Sequence, residues 1–202
     1  VDSILANGDT IHFSGKLSRD SGEDVGAYAI RQGNLSNPNY RISYVGSDFT
    51  IDSLSILVTA DSTGKTYGST DPELTFVSVP AVDSILANGD TIHFSGKLRR
   101  DSGEDVGIYA IRQGNLSNPN YRISYVGSDF TIDSLSVLVT ADSIGKTYGS
   151  TDPELTFVSV PAVDSILANG DTIRFSGKLI RDSGEHVGAY AIRRGNLSNP
   201  NY

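Results

Sequence analysis

Histidines and clustered carboxylates are the residues here best suited to chemistry, and the chain tests them itself, because its segments recur. His12 in "TIHFS" returns as His93, but the third copy carries Arg174 there, and His186 stands where earlier copies have Asp24 and Asp105. A general base or imidazole metal ligand needs its partners wherever its chemistry is repeated. No histidine position is kept, so these histidines read as solvent-facing strand residues. The loop "RDSGED" gathers Asp20, Glu23 and Asp24, whose oxygens suit Ca²⁺, the one cofactor the sequence offers. Its spacing matches neither an EF-hand nor a calcium-binding nonapeptide. A solvated turn leading into "GAYAI" fits it better.

The remaining candidates are structural in character. Tyr28, with its copies Tyr109 and Tyr190, alternates with an apolar neighbour, as a strand-start tyrosine does when its ring is buried and its hydroxyl bonds a connecting backbone. Asn34-Leu35-Ser36 and the copies at Asn115 and Asn196 fit an N-glycosylation triplet and equally a polar turn. The Asp-Ser-Ile and Asp-Thr-Ile triplets at Asp2 and Asp9 would place O-linked sugar on Ser3 or Thr10. Lys16 and Lys65 are candidates for a Lys–Asn cross-link, without a spacing signature for one. Acids and hydroxyls without a recurring histidine or any thiol do not make an enzyme site.

Bulk composition agrees. With 38% hydrophobic and 20% charged residues the chain is globular in kind, and a net charge of −8 repels nucleic acid and anionic membrane surfaces. The absence of Cys removes disulfides and thiolate metal sites, leaving packing and backbone pairing to hold the fold. No apolar run approaches the roughly 20 residues that span a bilayer, and no leader opens the sequence, so an export signal or anchor is expected outside it.

What positions these residues is a repeat. "VDSILANGDTIHFSGKL" at Val1 returns at Val82 and, with one change, at Val163, a period of 81 residues. Over two full periods the copies differ only at Ser18/Arg99, Ala27/Ile108, Ile56/Val137 and Thr63/Ile144. The unit boundary follows from alternation. Phe49 and Ile51 share one strand face, whereas in "LSILV" the apolar set is Leu54, Ile56 and Val58, so the phase switches at Asp52-Ser53, and again at Asp133-Ser134. The expected organisation is a partial repeat over 1–52 without its opening strand, a complete one over 53–133, and a partial one over 134–202 without its closing strand: a window on a longer array.

Within the complete unit, alternation predicts strands Leu54–Ala60, Leu74–Val79, Thr91–Leu98, Gly107–Gln113, Tyr121–Val126 and Phe130–Ile132, joined by Gly-, Asn-, Asp- and Ser-rich turns. The expected fold is all-β: tandem small sandwich-like domains, with a β-grasp-like roll as the alternative, set out as an elongated rod.

The order "KTYGSTDPE", "LTF", "NGDTI", "FSGKL", "YAI", "GNL", "NYRISY", "FTI" resembles the MBG repeat ("mostly beta, glycine-rich", YG-containing type) of bacterial surface adhesins, over essentially the whole chain. The resemblance implies an extracellular, cell-surface, non-enzymatic repeat that forms a stalk or fibre and supports adhesion, biofilm formation or gliding. Its partners would be neighbouring repeats, other copies of the filament or surface glycans. Two functions follow: a spacer presenting a distal binding region, each unit adding roughly 30–45 Å, or a multivalent module with one weak glycan or protein site per repeat. Ser18/Arg99/Ile180 and Ala27/Ile108/Ala189 are where the second would show.

Overall fold

A computed structural model describes residues 3–202 of the chain, and the triplet at Asp2 lies outside the described residues. Every regular element among them is a strand: β1 (Ser18–Arg19), β2 (Gly26–Arg31), β3 (Ser47–Ile51), β4 (Leu54–Ala60), β5 (Thr63–Thr66), β6 (Phe76–Val79), β7 (Arg99–Arg100), β8 (Gly107–Arg112), β9 (Tyr121–Val126), β10 (Ser128–Asp133), β11 (Leu138–Ala141), β12 (Phe157–Val160), β13 (Ile180–Arg181) and β14 (Ile192–Arg193). The fold is all-β.

Contacts divide the chain into two compact units, Val1–Leu57 with Val79–Ser95 and Ser117–Ser124, and Val58–Ser78 with Gly96–Leu116 and Tyr125–Tyr202. The first holds an antiparallel sheet in the order β1-β2-β3, with Tyr28 opposite Phe49. The second holds a mixed sheet in the order β5-β10-β8-β7 and the antiparallel pairs β11-β12 and β13-β14. In the mixed sheet β10 runs parallel to β5 and antiparallel to β8, which puts Phe130 between Thr63 and Tyr109. A further sheet has the order β6-β4-β9.

Burial follows the alternation that the sequence displays. Along β4 the residues Ile56, Val58 and Ala60 are buried and their neighbours point outward; along β10 the buried pair is Phe130 and Ile132. Past Asp133 and Ser134, both exposed, the inward residues become Leu135, Val137 and Val139, so burial changes parity there. Asp52 and Ser53, also exposed, are the only residues between β3 and β4.

Two segments differ from the sequence expectation. Thr91–Leu98 is no continuous strand but two isolated bridges, Ile85 with Thr91 and Ser95 with Ser117, followed by the short β7. Here a side chain replaces a ladder bond: Asn118 Nδ2 donates to the His93 carbonyl at 3.0 Å, and Gly96 at φ +80° turns the chain. Conversely, β5 lies in a stretch that reads as a connector. Gly64 makes it possible, because any Cβ there would collide with the Thr131 backbone across the parallel ladder.

Candidate functional site

The chain concentrates its long-range polar chemistry where one repeat meets the next. Asn120, in the "NPNY" turn, accepts from the Val25 amide through Oδ1 at 2.9 Å, donates from Nδ2 to Asp24 Oδ1 at 2.8 Å, and its carbonyl takes the Leu54 amide at 2.9 Å. One period on, Asn201 does the same: the Val106 amide at 2.9 Å, Asp105 Oδ1 at 3.0 Å and the Leu135 amide at 3.0 Å. The turn itself is fixed before it is used, since the Asn118 and Asn199 side chains accept the Asn120 and Asn201 amides at 2.9 Å. One side chain with a donor and an acceptor thus closes a reciprocal clasp on a carboxylate and the next amide. Each clasp ties the "GEDVG" loop of one copy to the "NPNY" turn of its successor.

A second contact involves the Tyr67-Gly68 turn. The Tyr67 amide donates to the Asp133 carbonyl at 2.7 Å, and the Ser69 amide closes the turn onto Thr66 at 3.0 Å. Gly68 has φ +85°, where a side chain would be strained, and a Cβ would sit 2.5 Å from Leu167 Cδ1. Its carbonyl accepts the Asn169 amide at 2.9 Å, so the "LANGD" loop of the third copy seats its leucine on bare backbone and pins it with one hydrogen bond. The Tyr67 ring, 7% exposed, lies 5.9 Å from that of Tyr202. Burial, and then the nearby Asp171 carboxylate, push the Tyr67 phenol above its ordinary pKa.

Beneath this turn sits an ion cluster. Lys65 Nζ, with its side chain 4% exposed, bonds Asp71 Oδ1 at 2.7 Å and Glu104 Oε2 at 2.5 Å. Arg100 bonds the same two carboxylates and stacks 4.9 Å from the Phe130 ring centroid. Burial opposes the Lys65 ammonium, but the hydrogen bonds to Asp71 and Glu104 outweigh it and hold its pKa above the ordinary value. Asn169 Nδ2 lies 3.5 Å from Glu104 Oε2, so the asparagine faces the cluster through its carboxylate.

The other sequence candidates fall as follows. Asp20 is bound by Arg31, Glu23 by Arg19 and Asp24 by Asn120, so three carboxylates considered for Ca²⁺ turn to three different partners. No group of metal-binding residues converges among the described residues. The Tyr28, Tyr109 and Tyr190 hydroxyls donate to the carbonyls of residue 24, 105 or 186 in their own loops at 2.8, 2.8 and 2.9 Å. Their rings are half-buried, stack with Arg19, Arg100 and Arg181, and fill the space a Cβ on Gly22, Gly103 or Gly184 would need. Asn34, Asn115 and Asn196 accept the Lys16, Lys97 and Lys178 amides through their side chains, as polar turns do. Both clasp asparagines escaped sequence reasoning, because nothing at a separation of 95 residues distinguishes them from turn formers.

The family model for the MBG domain (YGX type) matches residues 2–50, 56–131 and 137–202. The chain belongs to that family. That family is a structural, adhesin-type repeat module that occurs in extracellular surface proteins. No curated protein and no solved structure matches the chain. The glycine and tyrosine of the family's name are here the two residues on which the third copy's loop rests.

Proposed function

We propose that this chain is a stalk segment of a large secreted surface adhesin, holding a distal binding region away from the cell and supporting adhesion, biofilm formation or gliding. The observation that carries the reading is the clasp of Asn120 and Asn201, repeated with the same partners at both junctions. Only two residues separate β3 from β4, and both ends of that passage are hydrogen-bonded, which restrains bending where a free linker would permit it. Neighbouring repeats are then the principal partners. Small-angle scattering on this chain and on versions lengthened by whole repeats tests it. The maximum dimension should grow linearly, by roughly 30–45 Å per repeat; a dimension that grows as the square root of repeat number would mean flexible beads and end the spacer reading.

A weak glycan or protein site in each repeat is the second reading. Ile108 at 70% and Ile180 at 53% exposure sit at the positions that vary between copies, which is tolerance rather than a retained contact set. Binding of the chain to a glycan array, lost on substitution at those positions, would favour the second reading over the first.

A further inference from the structure

The loop that seats on Gly68 carries an asparagine followed by glycine, the dipeptide that most readily loses its side-chain amide, because glycine has no Cβ to shield its own backbone nitrogen. The pair recurs with the repeat, as Asn7-Gly8, Asn88-Gly89 and Asn169-Gly170. We propose that Asn169-Gly170 is a deamidation site built into the joint between successive repeats, where conversion of the asparagine to aspartate or isoaspartate releases the docked loop.

The reaction needs only the chain and water. The Gly170 nitrogen bonds to Asn169 Cγ, the Cγ–Nδ2 bond breaks, and ammonia leaves carrying the proton that the glycine amide gave up. Water then opens the succinimide at one carbonyl or the other, giving aspartate or isoaspartate. The loop supplies one aid and one brake. The Asp171 amide donates to Asn169 Oδ1 at 3.0 Å, where negative charge develops during the attack. Against this, the Gly170 amide is bonded to the Leu167 carbonyl at 2.9 Å, so the loop must open before its nitrogen can react. Both features are present in the other two loops, where the Asp9 and Asp90 amides reach the asparagine oxygen at 3.1 Å and the Gly8 and Gly89 amides are bonded at 2.9 Å.

Docking is what sets the third loop apart. Opening it also breaks the Asn169 amide bond to the Gly68 carbonyl at 2.9 Å and lifts Leu167 from Gly68. A reaction confined to the open state slows as opening becomes costlier. Asn169 is half-buried, whereas Asn7 and Asn88 are exposed. Conversion in turn undoes the docking. Asn169 Nδ2 donates to Asp171 Oδ2 at 2.7 Å and faces Glu104 at 3.5 Å, so a carboxylate in its place adds a third negative charge beside two. Lys65 and Arg100 cannot absorb it, since both are already shared between Asp71 and Glu104. Isoaspartate also inserts a methylene into the backbone next to the amide that Gly68 holds. The lost ammonia is not regained, so the joint opens once and stays open. None of this depends on the repeats acting as a spacer.

The test incubates the intact chain at mildly alkaline pH and follows the three asparagines by peptide mapping with mass spectrometry. Asn7 and Asn88 are internal controls in the same molecule. They should convert at similar rates, and Asn169 at least about tenfold more slowly. Gly68→Val, which denies Leu167 its seat, should bring the Asn169 rate up to that of Asn88 and leave the two controls unchanged. Asn169→Asp carries the charge of the product without touching Gly68, and should lose hydrogen-exchange protection at the residue 169 amide by at least about tenfold. Equal conversion at all three sites in the unaltered chain, an Asn169 rate that Gly68→Val does not move, or an Asn169→Asp chain as protected as the original overturns the proposal. So does a rise shared by all three sites in Gly68→Val, which would make protection a property of the whole fold and not of the joint.

Discussion

Lys65 and Lys146 hold the same partners in the same order, but the side chain of the first is 4% exposed and that of the second 21%. Phe49 and Phe130 belong to the same "SDFTI" segment, and one is 45% exposed while the other is fully buried. The local sequence around the phenylalanines is the same, and that around the lysines differs only at Thr63/Ile144, so most of the difference comes from neighbours. Phe130 has β5 on one side and β8 on the other, whereas among the described residues Phe49 is paired by β2 alone. Burial of the segment's phenylalanine follows from having a strand on each side of it.

The sharpest way to break that comparison is to truncate both phenylalanines. Phe130→Ala should cost about 3–5 kcal/mol and Phe49→Ala about 1 kcal/mol, read from denaturant midpoints; equal losses would mean burial does not distinguish the copies. The lysines come next. Lys65→Ala leaves two carboxylates facing each other beside a buried arginine and should cost about 2 kcal/mol, discounted because both acids are themselves partly exposed. Lys146→Ala, at the more exposed of the two clusters, should shift the midpoint less than Lys65→Ala does.

Acid titration sharpens the same contrast. The Arg100 and Lys65 hydrogen bonds hold Asp71 below its ordinary pKa, and Arg181 with Lys146 brings Asp152 down to about 2. Groups depressed on folding stabilise above the unfolded value and lose that contribution as pH falls, so stability should decline from about pH 4 to about pH 2. In a Lys65→Ala background the decline should be shallower, as followed by circular dichroism. The smallest effect concerns the clasp. Asn120→Ala should cost about 1–2 kcal/mol, against less than about 0.5 kcal/mol for its exposed counterpart Asn39→Ala, and comparable values would mean that the clasp holds nothing.

The all-β class, the repeat, the β4 strand and the buried faces of β4 and β10 were legible, because alternation of Ile56, Val58 and Ala60 leaves no other way to bury them. The junction was not. Asn120 and Asn201 carry no hydrophobic signature, and their partners lie in another copy of a segment that looks the same everywhere. Tyr40–Val45 makes the point from the other side: it has the sequence of β9, yet it forms no strand, since β9 exists by pairing with β4. Likewise β5 depends on Gly64 lying against Thr131, a proximity that composition cannot express.

The parallel register of β5 with β10 bears on how a repeat meets tension. β10 ends at the Asp133-Ser134 passage, and its four paired residues from Phe130 to Asp133 lie alongside Thr63 to Thr66, pointing the same way. A pull on the outgoing backbone acts along that ladder, loading its hydrogen bonds together instead of peeling them singly. Single-molecule stretching should therefore find the β5–β10 pair to be the element that yields last, and Gly64→Val, which wedges the two strands apart, should lower the rupture force.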